Sequence, residues 1–355
     1  MRLPIKIVAL LLALCLHAGA QDAKNIILFL ADGTGLPTVN AASLYGYGEP
    51  QALYVHRMPH TALMETSAAS AWVTDSAAGM TAIVTGQKTH NGVISQAADA
   101  ARGIKDGAPL KTILEYAEER GLSTGVVSNS PISDATPAAC YAHSNDRDKH
   151  GENFAQILKP RFGDGVDVVI GPGRARILRE TAQLGLDIAS ALPEKGYRYL
   201  LEPEQVSALP ASAKRIVALF DSEDFEIGPM VAAAIRILSQ NADGFFLMVE
   251  SNNHFRDAAK TLDRLVKMDQ VIRETSERVR NTDTLVLFTA DHAYGVRMSK
   301  GNRGDEVPSL VSVEDTHTAE EVIVTAEGPG AERVHGFFPN TQLFHIMMAG
   351  FGWQP

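Results

Sequence analysis

Asn25-Ile26-Ile27-Leu28-Phe29-Leu30-Ala31-Asp32-Gly33-Thr34-Gly35 is an apolar, β-prone run that ends abruptly in a carboxylate and two glycines. Apolar and polar residues do not alternate in it. A strand formed from it is therefore covered on both faces, as in a parallel sheet buried between helices. Runs of the same kind recur at Gly125 to Ser128, Val166 to Ile170, Ile216 to Phe220, Phe245 to Val249, Thr284 to Thr289 and Glu321 to Thr325. Between them, helices are expected at about Ser76 to Val84, Leu110 to Arg120, Glu152 to Leu158, Met230 to Gln240, Ala258 to Arg280 and Asn340 to Met348. The alternation predicts an α/β fold with a mostly parallel central sheet flanked by helices on both faces. The stretch from Gly171 to Ser212 is rich in Arg, Glu, Pro and Leu with weak strand signals, and reads as a peripheral insertion (about 171–212) in one domain.

The first twenty residues carry Arg2 and Lys6, an apolar run from Ile7 to Cys15, and small residues before Gln21. This is the pattern of a secretory signal peptide over residues 1–20, leaving a domain over 21–355 that is exported to the periplasm or secreted. No later stretch reaches the roughly 18 uninterrupted apolar residues of a membrane span. Cys140 is the one cysteine beyond the leader, so an internal disulfide is excluded and stability rests on the core and on any bound metal. The chain has 32 basic and 42 acidic side chains, a formal net charge of −10. Such a surface repels nucleic acid. It repels phosphate esters as well, so binding one requires local positive charge, for which metal ions are the natural source.

Three of the expected strands run straight into acidic residues: Asp32, Glu250 and Asp291-His292. In an open parallel sheet these positions lie at the strands' carboxyl ends, where ligands bind. Carboxylates converging there repel one another unless a cation sits among them. Each acid taken singly is equally well a cap for the following turn. The segment Thr74-Asp75-Ser76-Ala77-Ala78-Gly79 places Ser76 at or just inside a helix N-terminus, where backbone N–H groups favour an anion. Ser76 is there either an inert cap or a nucleophile that needs a metal or a distant base.

Asn25 to Gly35, Thr74 to Gly79, Asp134-Ala135-Thr136-Pro137-Ala138-Ala139, Thr289-Ala290-Asp291-His292 and His317-Thr318 together resemble, in order and spacing, the alkaline phosphatase family. The resemblance spans nearly all of the chain after the leader, apart from the Gly171 to Ser212 stretch. It implies a metal-dependent phosphomonoesterase acting on small phosphate esters through a phosphoserine at Ser76. It further implies that Asp32 bridges a second zinc and a magnesium, with Asp291 and His292 completing that zinc site and Ser76 facing it. Asp134, Thr136 and Glu250 match the magnesium ligands, His317 matches a ligand of the first zinc, and Arg147 matches the arginine that grips phosphate oxygens. A homodimer is one assembly the resemblance allows.

The sequence departs from the family where two further ligands of the first zinc are expected, at Phe255 and Ala259. His254 and Asp257 are the strong ligand types nearby, and their spacing of three would set them on one side of a helical turn, able to rebuild the first zinc site with His317. The amide of Asn252 or Asn253 is a weaker substitute. His56, His60, His90, His143, His150, His335 and His345 lack such pairing and read as structural or surface residues. The same metal core also suits a phosphodiesterase or related esterase, and an exported protein that binds metal or phosphate without turnover is the non-enzymatic rival.

Overall fold

The computed structural model describes residues 22–210 and 212–354, so the expected leader lies outside the described residues. In chain order its strands are β1 (Asn25–Asp32), β2 (His60–Glu65), β3 (Ser123–Ser128), β4 (Val168–Pro172), β5 (Arg198–Leu200), β6 (Ile216–Phe220), β7 (Phe245–Asn252), β8 (Thr284–Thr289), β9 (Ala293–Met298), β10 (Val311–Thr318), β11 (Val322–Glu327) and β12 (Gly336–Pro339). Each apolar run marked in the sequence overlaps one of them. Ten form one sheet in the order β12-β2-β11-β8-β1-β7-β3-β4-β6-β5, while β9 and β10 pair as a separate antiparallel ribbon.

β1 lies between β7 and β8 and is parallel to both. Its successive side chains enter two different cores. Ile26, Leu28 and Leu30 pack in the same cluster as Met80, Ile83 and Leu343, whereas Ile27, Phe29 and Ala31 join Val39, Leu262 and Leu265. Each fully buried aliphatic or aromatic side chain of this kind contributes about 1.5–3 kcal/mol, so helices on both faces hold the central strand in place.

β11 runs antiparallel to both β8 and β2. The ribbon explains the reversal. Thr318 at the end of β10 pairs with Ala293 at the start of β9, so the chain re-enters the sheet near the end of β8 from which it left and must run back. β2, β5, β9, β10 and β12 were not marked in the sequence. β5 has three residues, and β2 and β10 are partly solvent-facing, so none presents a long apolar run. Within the 171–212 stretch, β5 pairs with β6 at the sheet edge, accompanied by helices Arg174–Gln183, Ile188–Glu194 and Pro203–Ser207. The helix expected from Glu152 to Leu158 is a shorter one at His150–Ala155.

One buried carboxyl, near the start of β3, makes stability depend on pH. Burial, with smaller contributions from Asp164 and Glu115, pushes Glu118 from its ordinary 4.5 up to about 8. Its oxygens accept from the Gly165 N–H (3.0 Å) and the Thr124 hydroxyl (3.1 Å). An acid whose folded-state pKa is raised is protonated in both states at low pH, and stability is then lost as pH rises from about 4.5 through about 8. Glu118→Gln keeps an acceptor for Gly165 and gains a donor for Thr124, so its melting temperature should fall less over that window than the parent's. Parallel melting curves at pH 5 and pH 9 check this.

Candidate active site

The parallel register aligns the ends of the central strands. Leu30 of β1 sits opposite both Glu250 of β7 and Thr289 of β8, and Asp32 sits opposite Asn252. Asp32, Glu250 and Asp291 thus arrive at one end of the sheet, and all three are buried. A fourth element approaches from the side. Helix Ser76–Thr85 is buried along its whole length and begins with Ser76 itself. Gly79 permits its close approach, because a Cβ there would lie 2.7 Å from the Asp291 carbonyl oxygen.

The cap of that helix is Asp75, which accepts from the N–H groups of Ala78 (3.0 Å) and Gly92 (2.8 Å). Ser76 is therefore not needed as a cap, and its hydroxyl turns into the acidic cluster. Its Oγ stands 3.5 Å from Asp32 Oδ2 and 3.2 Å from His292 Nε2. The Thr136 hydroxyl donates to the same Asp32 oxygen at 3.4 Å. Asp32 Oδ1 has both His254 Nε2 and His292 Nε2 at 3.3 Å, and His292 Nε2 is 3.6 Å from Asp291 Oδ2.

Asp32 Oδ1 and Asp291 Oδ2 are buried with no hydrogen-bond partner among the described residues. The tautomer of His292 sharpens the problem. Its Nδ1 is 3.1 Å from the Ala293 carbonyl, which can only accept, so the ring proton of the neutral imidazole resides on Nδ1. Nε2 then turns a lone pair toward two carboxylates and a hydroxyl. His317 is arranged in the same way, with Nδ1 2.9 Å from the Thr74 carbonyl and its ring stacked on His292 at 3.7 Å. A histidine held at Nδ1 by a backbone carbonyl keeps its Nε2 lone pair available, and is thereby prepared as a metal ligand. Asp32, Asp291 and His292 offer ligand atoms within 4.8 Å of one another, as one divalent ion requires.

The acids register the crowding. Burial and then the charge of Asp32 push Asp291 up to about 6, and the same causes raise Glu250 well above the carboxylate range. Burial acts on Asp32 in the same sense, but the charge of His254 above all, with Arg147 adding to it, outweighs it and holds Asp32 low. Glu250 receives a short hydrogen bond from the Ser128 hydroxyl. Arg147 spans the mouth, with one nitrogen 3.2 Å from Asp75 and another 3.1 Å from Asp134, and its side chain is 20% exposed. Asp134 also accepts from its neighbour's N–H, at 2.7 Å.

His254 packs against Gly33, where a Cβ would lie 2.6 Å away and φ is +68°. Its ring centroid is 6.0 Å from those of both His292 and His317 and 5.3 Å from that of Tyr294. Burial opposes its protonation, but Asp32 carries it up to about 9. Asp257 does not join it. Residues 254–257 precede the helix rather than forming a turn of it, and the exposed Asp257 caps helix Ala258–Val279 by accepting from Ala259 and Lys260. The spacing of three thus corresponds to a cap, not to a ligand pair. Asn253 is engaged by Thr34 and Ser251, and the Asn252 side chain accepts from the His254 N–H. Phe255 lies beneath Lys260.

Sequence spacing carried no signal for two supporting residues, Asn91 and Ser128, whereas Tyr294 follows Asp291-His292 closely in the chain. Asn91 binds Val73 and Asp75, Ser128 binds Glu250, and Tyr294 stands beside His254 with its hydroxyl on Asp315. Among the described residues no helix is long and apolar enough to cross a membrane.

Known proteins resemble this chain in sequence and in fold. The alkaline phosphatase family profile matches residues 23–314. Mouse tissue-nonspecific alkaline phosphatase is 30% identical over 90% of this chain and 73% of its own length. The alkaline phosphatase of Escherichia fergusonii is 29% identical over 96% of this chain and 88% of its own. Among solved structures, a magnesium-bound variant of TAB5 alkaline phosphatase superposes with a TM-score of 0.80 at 25% identity, covering 95% of this chain and all of that one. The Thermus thermophilus alkaline phosphatase has the same fold, with a TM-score of 0.81 over 100% of this chain and 96% of its own at 22% identity. With its buried serine facing an acid and histidine cluster at the carboxyl ends of β1, β7 and β8, this chain belongs to the alkaline phosphatase family and is a phosphomonoesterase.

Proposed function

We propose that this phosphatase is exported and hydrolyses small phosphate monoesters through a phosphoserine on Ser76, with zinc and magnesium as its ions. The observation that carries the proposal is Ser76 Oγ beside the His292 Nε2 lone pair, which itself faces two buried carboxylate oxygens that lack hydrogen bonds. That donor set fits a zinc held by Asp32, Asp291 and His292. Glu250, Thr136 and Asp134, with Asp32, are the oxygen donors that would hold magnesium. His254 and His317 would hold the first zinc, whose remaining ligands are left open. When bound, the ions supply the positive charge that acidifies the serine hydroxyl and neutralises the departing oxygen.

Ser76 Oγ attacks phosphorus, the ester oxygen leaves, and water later attacks phosphorus to release phosphate and restore the hydroxyl. The unpaired N–H groups at the start of helix Ser76–Thr85 and the Arg147 fork face the oxygens on which transition-state charge is spread. Asp75 sets both, because it caps the helix and orients Arg147. Turnover of a nitrophenyl monoester far above that of the matching diester, alongside metal analysis of the purified protein, tests the proposal. Equal rates would favour an esterase of broader type, and a single release of phosphate without turnover would favour a binding protein.

Arg147→Ala should weaken inorganic phosphate as an inhibitor about tenfold to a hundredfold, the loss of about 1.5–3 kcal/mol of charged hydrogen bonding. Metal content should be unchanged. Arg147→Lys should recover only part, because an ammonium lacks the two-pronged geometry. Unaltered phosphate inhibition in Arg147→Ala would remove Arg147 from the site.

A further inference from the structure

Among the described residues, the two most exposed large apolar side chains are Ile104 (87%) and Trp72 (86%), and Val73 beside Trp72 is 38% exposed. Single exposed apolar residues are ordinary on a protein surface. Trp72 differs in where it is held. It stands four residues before Ser76, so the two Cα atoms are at most about 14 Å apart. Its loop is tied down on both sides. The Asn91 side chain donates to the Val73 carbonyl (3.1 Å) and accepts from the Asp75 N–H (3.2 Å), while Ala69 N–H donates to Thr89 (2.9 Å). Between these ties the Thr74 carbonyl accepts from His317 Nδ1. A continuous set of contacts therefore runs from the Trp72 loop through His317 and its stacked partner His292 to Ser76 Oγ.

A tryptophan has about 200 Å² to cover, and here the indole faces solvent on a loop that is tied at Val73 and Asp75, four residues before the nucleophile. The groups around Ser76 and at the start of its helix are charged or polar, namely Arg147, Asp75, Asp134 and the histidines, so they suit a phosphoryl group and offer nothing to the body of an ester. We infer that Trp72, with Val73, forms an apolar subsite for the leaving group, so that this phosphatase prefers aryl phosphates over phosphates of small polar alcohols. The inference rests on the phosphomonoesterase role of Ser76 set out above. Trp72 acts there as a specificity residue, with no part in the bond-making steps.

The test compares 1-naphthyl phosphate with glycerol phosphate. Trp72→Ala should lower kcat/KM for the naphthyl ester about tenfold, the size of one aromatic stacking contact, mainly through KM. Glycerol phosphate turnover and phosphate inhibition should be unchanged, Trp72→Phe should restore most of the preference, and Phe337→Ala, at an exposed aromatic on edge strand β12, should change neither substrate. A second readout is independent of turnover. Trp72 and Trp353 are the chain's two tryptophans, so in a Ser76→Ala, Trp353→Phe protein the fluorescence is that of Trp72. Naphthyl phosphate should quench it, and inorganic phosphate should reverse the quenching. Absence of turnover on both esters in the parent protein, with quenching intact, would sink the phosphoserine reading but keep the subsite. An equal effect of Trp72→Ala on both esters, absence of quenching, or a change in oligomeric state with both esters unaffected would overturn it.

Discussion

Ser76→Ala leaves no acid-stable phosphoenzyme and lowers turnover by about 10⁴-fold to 10⁶-fold, the range that follows loss of an activated serine from a hydrolase that retains its binding groups. The expectation follows from its geometry. Ser76 opens its helix with Oγ 3.5 Å from Asp32 and 3.2 Å from His292. The fold should survive, because Asp75 is the cap and alanine suits the first turn of a helix. Acid quench with labelled phosphate should trap label on the parent protein alone. Equal labelling of both proteins would move the nucleophile elsewhere, and a Ser76→Ala protein with a lowered melting temperature would mean that the hydroxyl is structural.

Asp291→Asn should remove about one metal equivalent and cut activity by a comparable factor. Asp291 Oδ2 is buried without a hydrogen bond beside Asp32 and His292, so its charge has a role only if a cation is there to meet it. An amide keeps the shape and the contact with the Gly33 N–H while discarding that charge. The parent should lose stability when a chelator strips the metal, since apposed carboxylates then remain buried and uncompensated; the variant should lose less. His254→Ala should release metal in a milder form, with added zinc restoring part of the rate. Asp257→Ala makes the contrast: it should cost about 0.5–2 kcal/mol as a lost helix cap, with metal content intact. Metal analysis of the four proteins after the same dialysis decides the matter. Full metal in Asp291→Asn would refute the proposed site, and metal loss in Asp257→Ala would show that the cap residue also ligates.

The sequence by itself determined the central strands and the acids that end them. An apolar run such as Ile26 to Ala31 is readable because a strand buried on both faces has to be apolar at every position, and the residue that breaks the run, Asp32, is then conspicuous. It determined also that Ser76 opens a helix, from local capping chemistry. What the tertiary structure decided were matters of approach between segments distant in the chain. It set which oxygen of Asp32 faces His292, it tied the tautomers of His292 and His317 to the carbonyls of Ala293 and Thr74, and it brought Asn91 to hold Val73 and Asp75. The case of Asp257 shows the limit. A spacing of three suits a shared helical face and a helix cap equally well, and the choice depends on where the helix starts, which in the folded chain is at Ala258, directly after Asp257. Short partly exposed strands such as β5, β9 and β10 escaped notice for a related reason, since they are stabilised by pairing with neighbours, and periodicity along one segment carries no record of its partner.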